Sequence, residues 1–284
     1  MTVAQTILIP SCIVLALSIT SCKKQESSPS ELLTTALPRA PKEIEDALKK
    51  EFPGVMPGPK FGDSILRHLA DRYKITPRMM LLGTSTCVDD IIYTKNFHLH
   101  PDINGPFHLG GLGGWPFTGT SGLEAFAHHV PDSGTMVLIV EPHIGYSAKA
   151  GWGYILRPEQ TEASSCCGAL VGTLRKLQKG ALTGEITEDD YQGGKLAEMA
   201  LKHDKEILAA ENPIVALTKM ASLAAERHIR NHVLDVDLAH IKYIVIITGV
   251  LIDTDYQYCD YQYCEHILVY DVRKKKFVEE LLNQ

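Results

Sequence analysis

Three places along the chain carry residue types that bind soft metals. They are Cys87 in Cys87-Val88-Asp89-Asp90, His143 in Glu141-Pro142-His143-Ile144, and Cys166-Cys167 ahead of Gly168-Ala169-Leu170. Two thiolates and one imidazole form a borderline-soft donor set that selects zinc. Three protein ligands leave a fourth position open for water, the arrangement of a catalytic rather than a structural site. The separations match no local zinc-finger pattern. By spacing alone the cysteines read equally as small buried hydrophobes, and the histidine as a satisfied polar residue.

The elements around these residues give the metal reading its geometry. Met79 to Thr84 reads as a buried strand with Cys87 just beyond its end, and Thr135 to Val140 as a second strand terminated by Pro142-His143. Reactive groups in open α/β sheets gather at the carboxyl ends of strands, so Cys87 and His143 can converge there. Apolar spacing at Ala169, Leu170, Leu174 and Leu177 makes Ser165 to Lys179 helical. Cys167 then lies where a helix begins, and the dipole favours its thiolate.

The remaining pattern alternates helices and strands. Helices are expected over Asp63–Tyr73, with Asp63 as N-cap, over Gly194–Ala210, and over Pro213–His232, opened by Asn212 and Pro213. Trp152–Leu156, the β-branched run Lys242–Ile252 and residues 264–270 read as strands. Residues Asn104 to Gly122 read as loop, with a core at Gly110-Gly111-Leu112-Gly113-Gly114 that lets backbone approach another group closely. The fold class is therefore α/β, with helices packed on a central, mostly parallel sheet. A doubled Asp-Tyr-Gln-Tyr-Cys, at Asp255–Cys259 and Asp260–Cys264, is too short for a solenoid and reads as a tyrosine-rich hairpin or loop.

The N-terminus has a different character. Ile7 to Ile19 is almost wholly apolar and has the length of a signal-peptide h-region, although Met1 to Thr6 lacks the usual Lys or Arg. Ile19-Thr20-Ser21-Cys22 followed by a polar Lys, Ser and Pro stretch resembles a bacterial lipobox. The expected organisation is a lipoprotein signal peptide over residues 1–21, lipid-anchored Cys22 and a tether over 22–44, and one domain over 45–284. That chain would face the periplasm from a membrane. The other reading of the apolar run is an ordinary amphipathic helix. Composition excludes less: 28 Lys+Arg against 34 Asp+Glu give a net charge of −6, with no basic surplus to meet a nucleic-acid backbone.

Six ordered motifs carry a resemblance: Phe52-Pro53-Gly54-Val55, Cys87-Val88-Asp89-Asp90, the glycine run 110–114, Pro142-His143-Ile144, Arg157-Pro158 and Cys167-Gly168-Ala169-Leu170. The series resembles the limiting-CO2-inducible protein B/C family, whose members include carbonic anhydrases of the theta type with a β-carbonic-anhydrase-like fold. The resemblance implies zinc ligands at Cys87, His143 and Cys167, with Cys166 a neighbour, and a catalytic Asp89. It implies CO2 and bicarbonate as substrates and a homodimer as the assembly. The family's arginine after the first cysteine is Val88 here, and its glutamate is Asp90. Asp89 thus lacks its local partner, and Arg157 reads either as the substitute or as a surface charge.

If zinc binds, bound water falls from a pKa of about 15.7 towards 7, and the resulting hydroxide attacks CO2. Asp89 would accept a hydrogen bond there. His98, His100, His108, His128 and His129 could relay protons, or serve as surface residues. The glycine run would wall a narrow pocket. The alternative from another class is a catalytically silent relative that keeps the metal and acts as a binding module.

Overall fold

The computed structural model describes residues 37–92 and 102–280. The expected signal peptide, Cys22, and the tether up to residue 36 lie outside the described residues, as do His98 and His100. Among the described residues no helix is long and apolar enough to cross a membrane.

The sheet is built around three apolar strands. β1 is Met56–Pro57, β2 Met80–Ser85, β3 Asn104–His108, β4 Thr135–Val140, β5 His143–Ser147 and β6 Gly151–Trp152. β7 Tyr154–Ile155 and β8 Ser164–Ser165 pair apart from the main sheet, while β9 Tyr243–Thr254, β10 Tyr261–Asp271 and β11 Lys276–Glu280 complete it. The order runs β1-β10-β9-β4-β2-β3. Pairings β3–β2, β2–β4, β4–β9 and β9–β5 are parallel, and the antiparallel ones involve β10 and the β5–β6 hairpin.

β9 is long enough to serve two neighbours on one side. Its first half pairs with β4 from Thr135↔Tyr243 to Val140↔Thr248, and its second half with β5 from His143↔Leu251 to Tyr146↔Thr254. The chain leaves β4 at Val140, crosses Glu141-Pro142, and rejoins the same strand at His143. That step fixes the histidine at the carboxyl end of the sheet.

Both faces are covered, so the strands are nearly continuous apolar runs. In β4, Met136, Leu138 and Val140 join a core with Leu123, Phe126, Ala225 and Ile229, while Val137 turns to Phe61, Ile65 and Leu69 on the opposite face. The helices are α1 Lys42–Glu51, α2 Gly58–Tyr73, α3 Gly119–His128, α4 Gly168–Gln178, α5 Tyr191–Lys202, α6 Asp204–Ala209 and α7 Pro213–His232. Strand β4 and helix α7 have the expected bounds.

Four elements differ from expectation. α2 begins at Gly58, not at Asp63, because Pro59 fits the first turn, where no amide hydrogen bond is required. The expected loop 104–122 contains β3 and the start of α3. Trp152–Leu156 is split into β6 and β7 at Gly153, whose φ of +86° no strand adopts. The helix expected over Gly194–Ala210 breaks at His203 into α5 and α6. Packing also starts early in the chain: the Pro38 carbonyl accepts from the Cys259 amide and the Ala40 amide donates to Tyr261 Oη at 3.0 Å, within the stretch expected as tether.

Candidate metal centre

Cys87, His143 and Cys167 come together, each at the end of an element and each buried. Cys87 follows β2, His143 opens β5, and Cys167 is the residue before α4. One donor atom from each lies within 4.8 Å of the others. The two sulfurs are 3.6 Å apart. Two Zn–S bonds of about 2.3 Å at a tetrahedral angle would put them about 3.8 Å apart, so the spacing suits zinc without rearrangement.

His143 is oriented from behind. Its Nδ1–H donates to Asp253 Oδ2 at 2.6 Å, and Cys166 Sγ donates to the same oxygen at 3.1 Å. Nε2 is buried with no hydrogen-bond partner among the described residues. A buried, unpartnered nitrogen beside two cysteine sulfurs is an unsatisfied polar atom, and a cation replacing its proton would satisfy it. The carboxylate fixes the tautomer that leaves the Nε2 lone pair free, the usual support for a metal-bound imidazole.

The protons are distributed unevenly. Cys167, then His143, holds the Cys87 thiol down to about 4, while the same contact and burial push Cys167 up. The thiolate therefore resides on Cys87, where the Gly113 amide donates to Sγ at 3.3 Å. Burial lowers the basicity of His143, but its surroundings, Cys167, Cys166 and the Asp253 carboxylate that accepts from Nδ1, outweigh it and carry the pKa well up. A divalent cation entering this site would displace the remaining protons. Burial, first of all, raises Cys166, which stays a thiol bonded to Asp253.

The glycine run lies against this cluster. Gly113 has φ of +64°, and a Cβ on Gly110 would stand 2.1 Å from the Thr86 carbonyl, immediately before Cys87. Only glycine lets the loop approach so closely.

Asp89 sits at the rim, with Oδ2 3.7 Å from His143 Nε2. Arg157 Nη2 donates to Asp89 Oδ1 at 2.9 Å and to Asp90 Oδ1 at 2.9 Å. Its Nη1 donates to Ser164 Oγ at 2.7 Å, fixing the guanidinium in place. Arg157 is thus the partner of Asp89 rather than an isolated surface charge. Val88 points to solvent, 57% exposed. Burial raises the Asp89 carboxyl, and Asp90 beside it adds to the rise against the pull of His143 and Arg157.

Of the expected relay histidines, the described ones, His108, His128 and His129, are not in the cluster. His108 Nδ1 lies 3.2 Å from Thr84 Oγ1. His128 and His129 end α3, which leads into the amino end of β4, about 20 Å of strand away from the metal end. Cys259 and Cys264 are free thiols. A second donor group, Asp89, His143 and Cys166, shares His143 with the first.

Asp253 is the residue that sequence reading missed. Asp253→Asn preserves shape but exchanges the charged acceptor for a weaker one. It should weaken zinc binding about 10- to 100-fold, read by competition with a chromophoric chelator. Unchanged affinity would show that Asp253 has no hold on the ligand.

Comparison with known proteins follows the same line. The family model for limiting CO2-inducible proteins B/C beta carbonic anhydrases matches residues 57–271. The crystal structure of PtLCIB4, a homolog of the limiting CO2-inducible protein LCIB, is similar with a TM-score of 0.72 at 25% identity, over 84% of this chain and 100% of that one. The crystal structure of LCIB itself, 20% identical, shares the fold with a TM-score of 0.63 over 86% of this chain and 100% of its own. No curated protein matches the sequence.

Proposed function

The chain belongs to the family of limiting CO2-inducible proteins B/C beta carbonic anhydrases, and from that premise we propose that it is a zinc-dependent carbonic anhydrase interconverting CO2 and bicarbonate. The observation that carries the reading is the buried Cys87–His143–Cys167 donor set with the Asp89–Arg157 pair at its rim. Zinc, when bound, would supply the Lewis acidity that brings a water's pKa from about 15.7 towards 7.

The chain's own residues would do the rest. Cys87 and Cys167 supply two negative charges and His143 a neutral nitrogen, so the set neutralises a divalent ion. Asp253 holds the imidazole. Arg157 occupies Asp89 Oδ1 and leaves Oδ2 facing the donors, where it would accept a hydrogen bond from the reacting water and orient it toward CO2. The glycine run would exclude bulk water on the Cys87 side.

A second reading has its own observation: Val88 supplies no guanidinium where the family has arginine. On that reading the metal is kept and turnover is absent. Stopped-flow CO2 hydration on the full chain, with metal content measured on the same sample, separates the two. Zinc near one per chain with chelator-sensitive turnover is the expected result; zinc without turnover selects the silent relative, and absence of both zinc and turnover overturns the site. The lipid anchor at Cys22, the periplasmic location and the homodimer remain part of the proposal.

A further inference from the structure

Away from the metal centre, α5 and α7 form a groove of about 310 Å³ with Trp115 in its wall. Lys195 and Lys202 face it from α5 and Arg227 from α7, against one carboxylate, Glu198. Glu198 is already taken by both lysines, at 3.1 Å from Lys195 Nζ and 2.9 Å from Lys202 Nζ. Arg227 has no ion-pair or hydrogen-bond partner among the described residues. Three cations against one anion leave a positive surplus on a chain whose net charge is −6. Such a local reversal of sign concentrates anions at the groove.

The other component is aromatic. The Trp115 and His228 rings are 5.3 Å apart, and His228 and His232, one turn apart on α7, are 4.5 Å apart. The indole N–H has no acceptor among the described residues. Burial, then the positive charge of His232 and Lys195, holds the His228 imidazole below its ordinary value, consistent with the cationic surplus. A row of rings beside a net surplus of positive charge suits a ligand with a flat ring at one end and a concentrated negative charge at the other.

We propose that the groove between α5 and α7 binds a nucleoside phosphate, with phosphate oxygens between Lys202 and Arg227 and the base against Trp115 and His228. Phosphate oxygens would accept charge-assisted hydrogen bonds from both cations, and the partly buried indole in the groove wall, flanked by Phe117 and His228, is the ring surface the base would meet. The proposal does not depend on the metal centre, because none of its residues belongs to the donor set.

Isothermal titration of the full chain with ADP, pyrophosphate and adenosine tests it. ADP should saturate one site below about 1 mM, with pyrophosphate and adenosine each at least about tenfold weaker. Lys202→Gln with Arg227→Gln, on exposed side chains, should weaken ADP at least about tenfold while leaving adenosine unchanged. Trp115 fluorescence in a Trp152→Phe background should report ADP binding, since Trp152 lies elsewhere, against Phe52 and Tyr146. No saturable ADP binding, or ADP binding untouched in the double variant, would overturn the site. Pyrophosphate as tight as ADP would overturn the ring contact and leave only an anion sink.

Discussion

His143→Ala and Cys87→Ser should each purify with less than about a tenth of the zinc of the parent chain, and with CO2 hydration at the buffer background. The two substitutions remove different things. Cys87→Ser exchanges one atom, keeps the packing beside β2, and deletes the thiolate that Gly113 supports. His143→Ala deletes the nitrogen that has no hydrogen-bond partner among the described residues, and also removes the imidazole donor from buried Asp253. That variant should lose stability as well, because a buried carboxylate left with only the Cys166 thiol as donor is costly. Cys87→Ser therefore carries the cleaner metal measurement, by mass spectrometry of the purified chain. One zinc per chain retained in both variants would refute the ligand assignment. Loss of zinc in both with the thermal melt preserved in Cys87→Ser would assign the metal to the ligands and not to the fold.

How much of this centre could be read from the residues depends on how local each relation is. Cys87 and His143 were legible because each follows a strand of unbroken apolar residues, and chain order alone puts strand ends together. Cys167 was legible because it stands directly before a helix. Asp253 was not, for a physical reason. It ends the apolar run of β9, where an aspartate reads as the start of a turn, and its role arises from the parallel register Gly145↔Asp253. That register follows from β9 running past β4 to meet β5, a nonlocal pairing with no local sequence signal. The break at His203 was hidden too, since apolar spacing continues from α5 through Ile207 in α6. In β4 and α7, by contrast, every local preference agreed with the tertiary packing, and the bounds came out as read.

Arg157 is a similar nonlocal case, and its removal should have the second large effect. Arg157→Ala should lower CO2 hydration on the order of 10²-fold while zinc content stays at the parent level. The guanidinium bridges Asp89 and Asp90 and is itself held by Ser164. Without it the two carboxylates face each other uncompensated, and Asp89 has no group to fix its Oδ1. Its Oδ2 then loses the orientation toward the donors on which the proposed water contact depends. Arg157→Lys restores charge without the planar fork that serves two carboxylates at once, so it should recover only part of the loss. Val88→Arg supplies the control: Val88 faces solvent and Asp89 Oδ1 is already occupied, so a guanidinium there should change turnover by less than about twofold. Full activity in Arg157→Ala would remove Asp89–Arg157 from the proposed mechanism. A large gain in Val88→Arg would show instead that Arg157 is an incomplete substitute and that position 88 limits the enzyme.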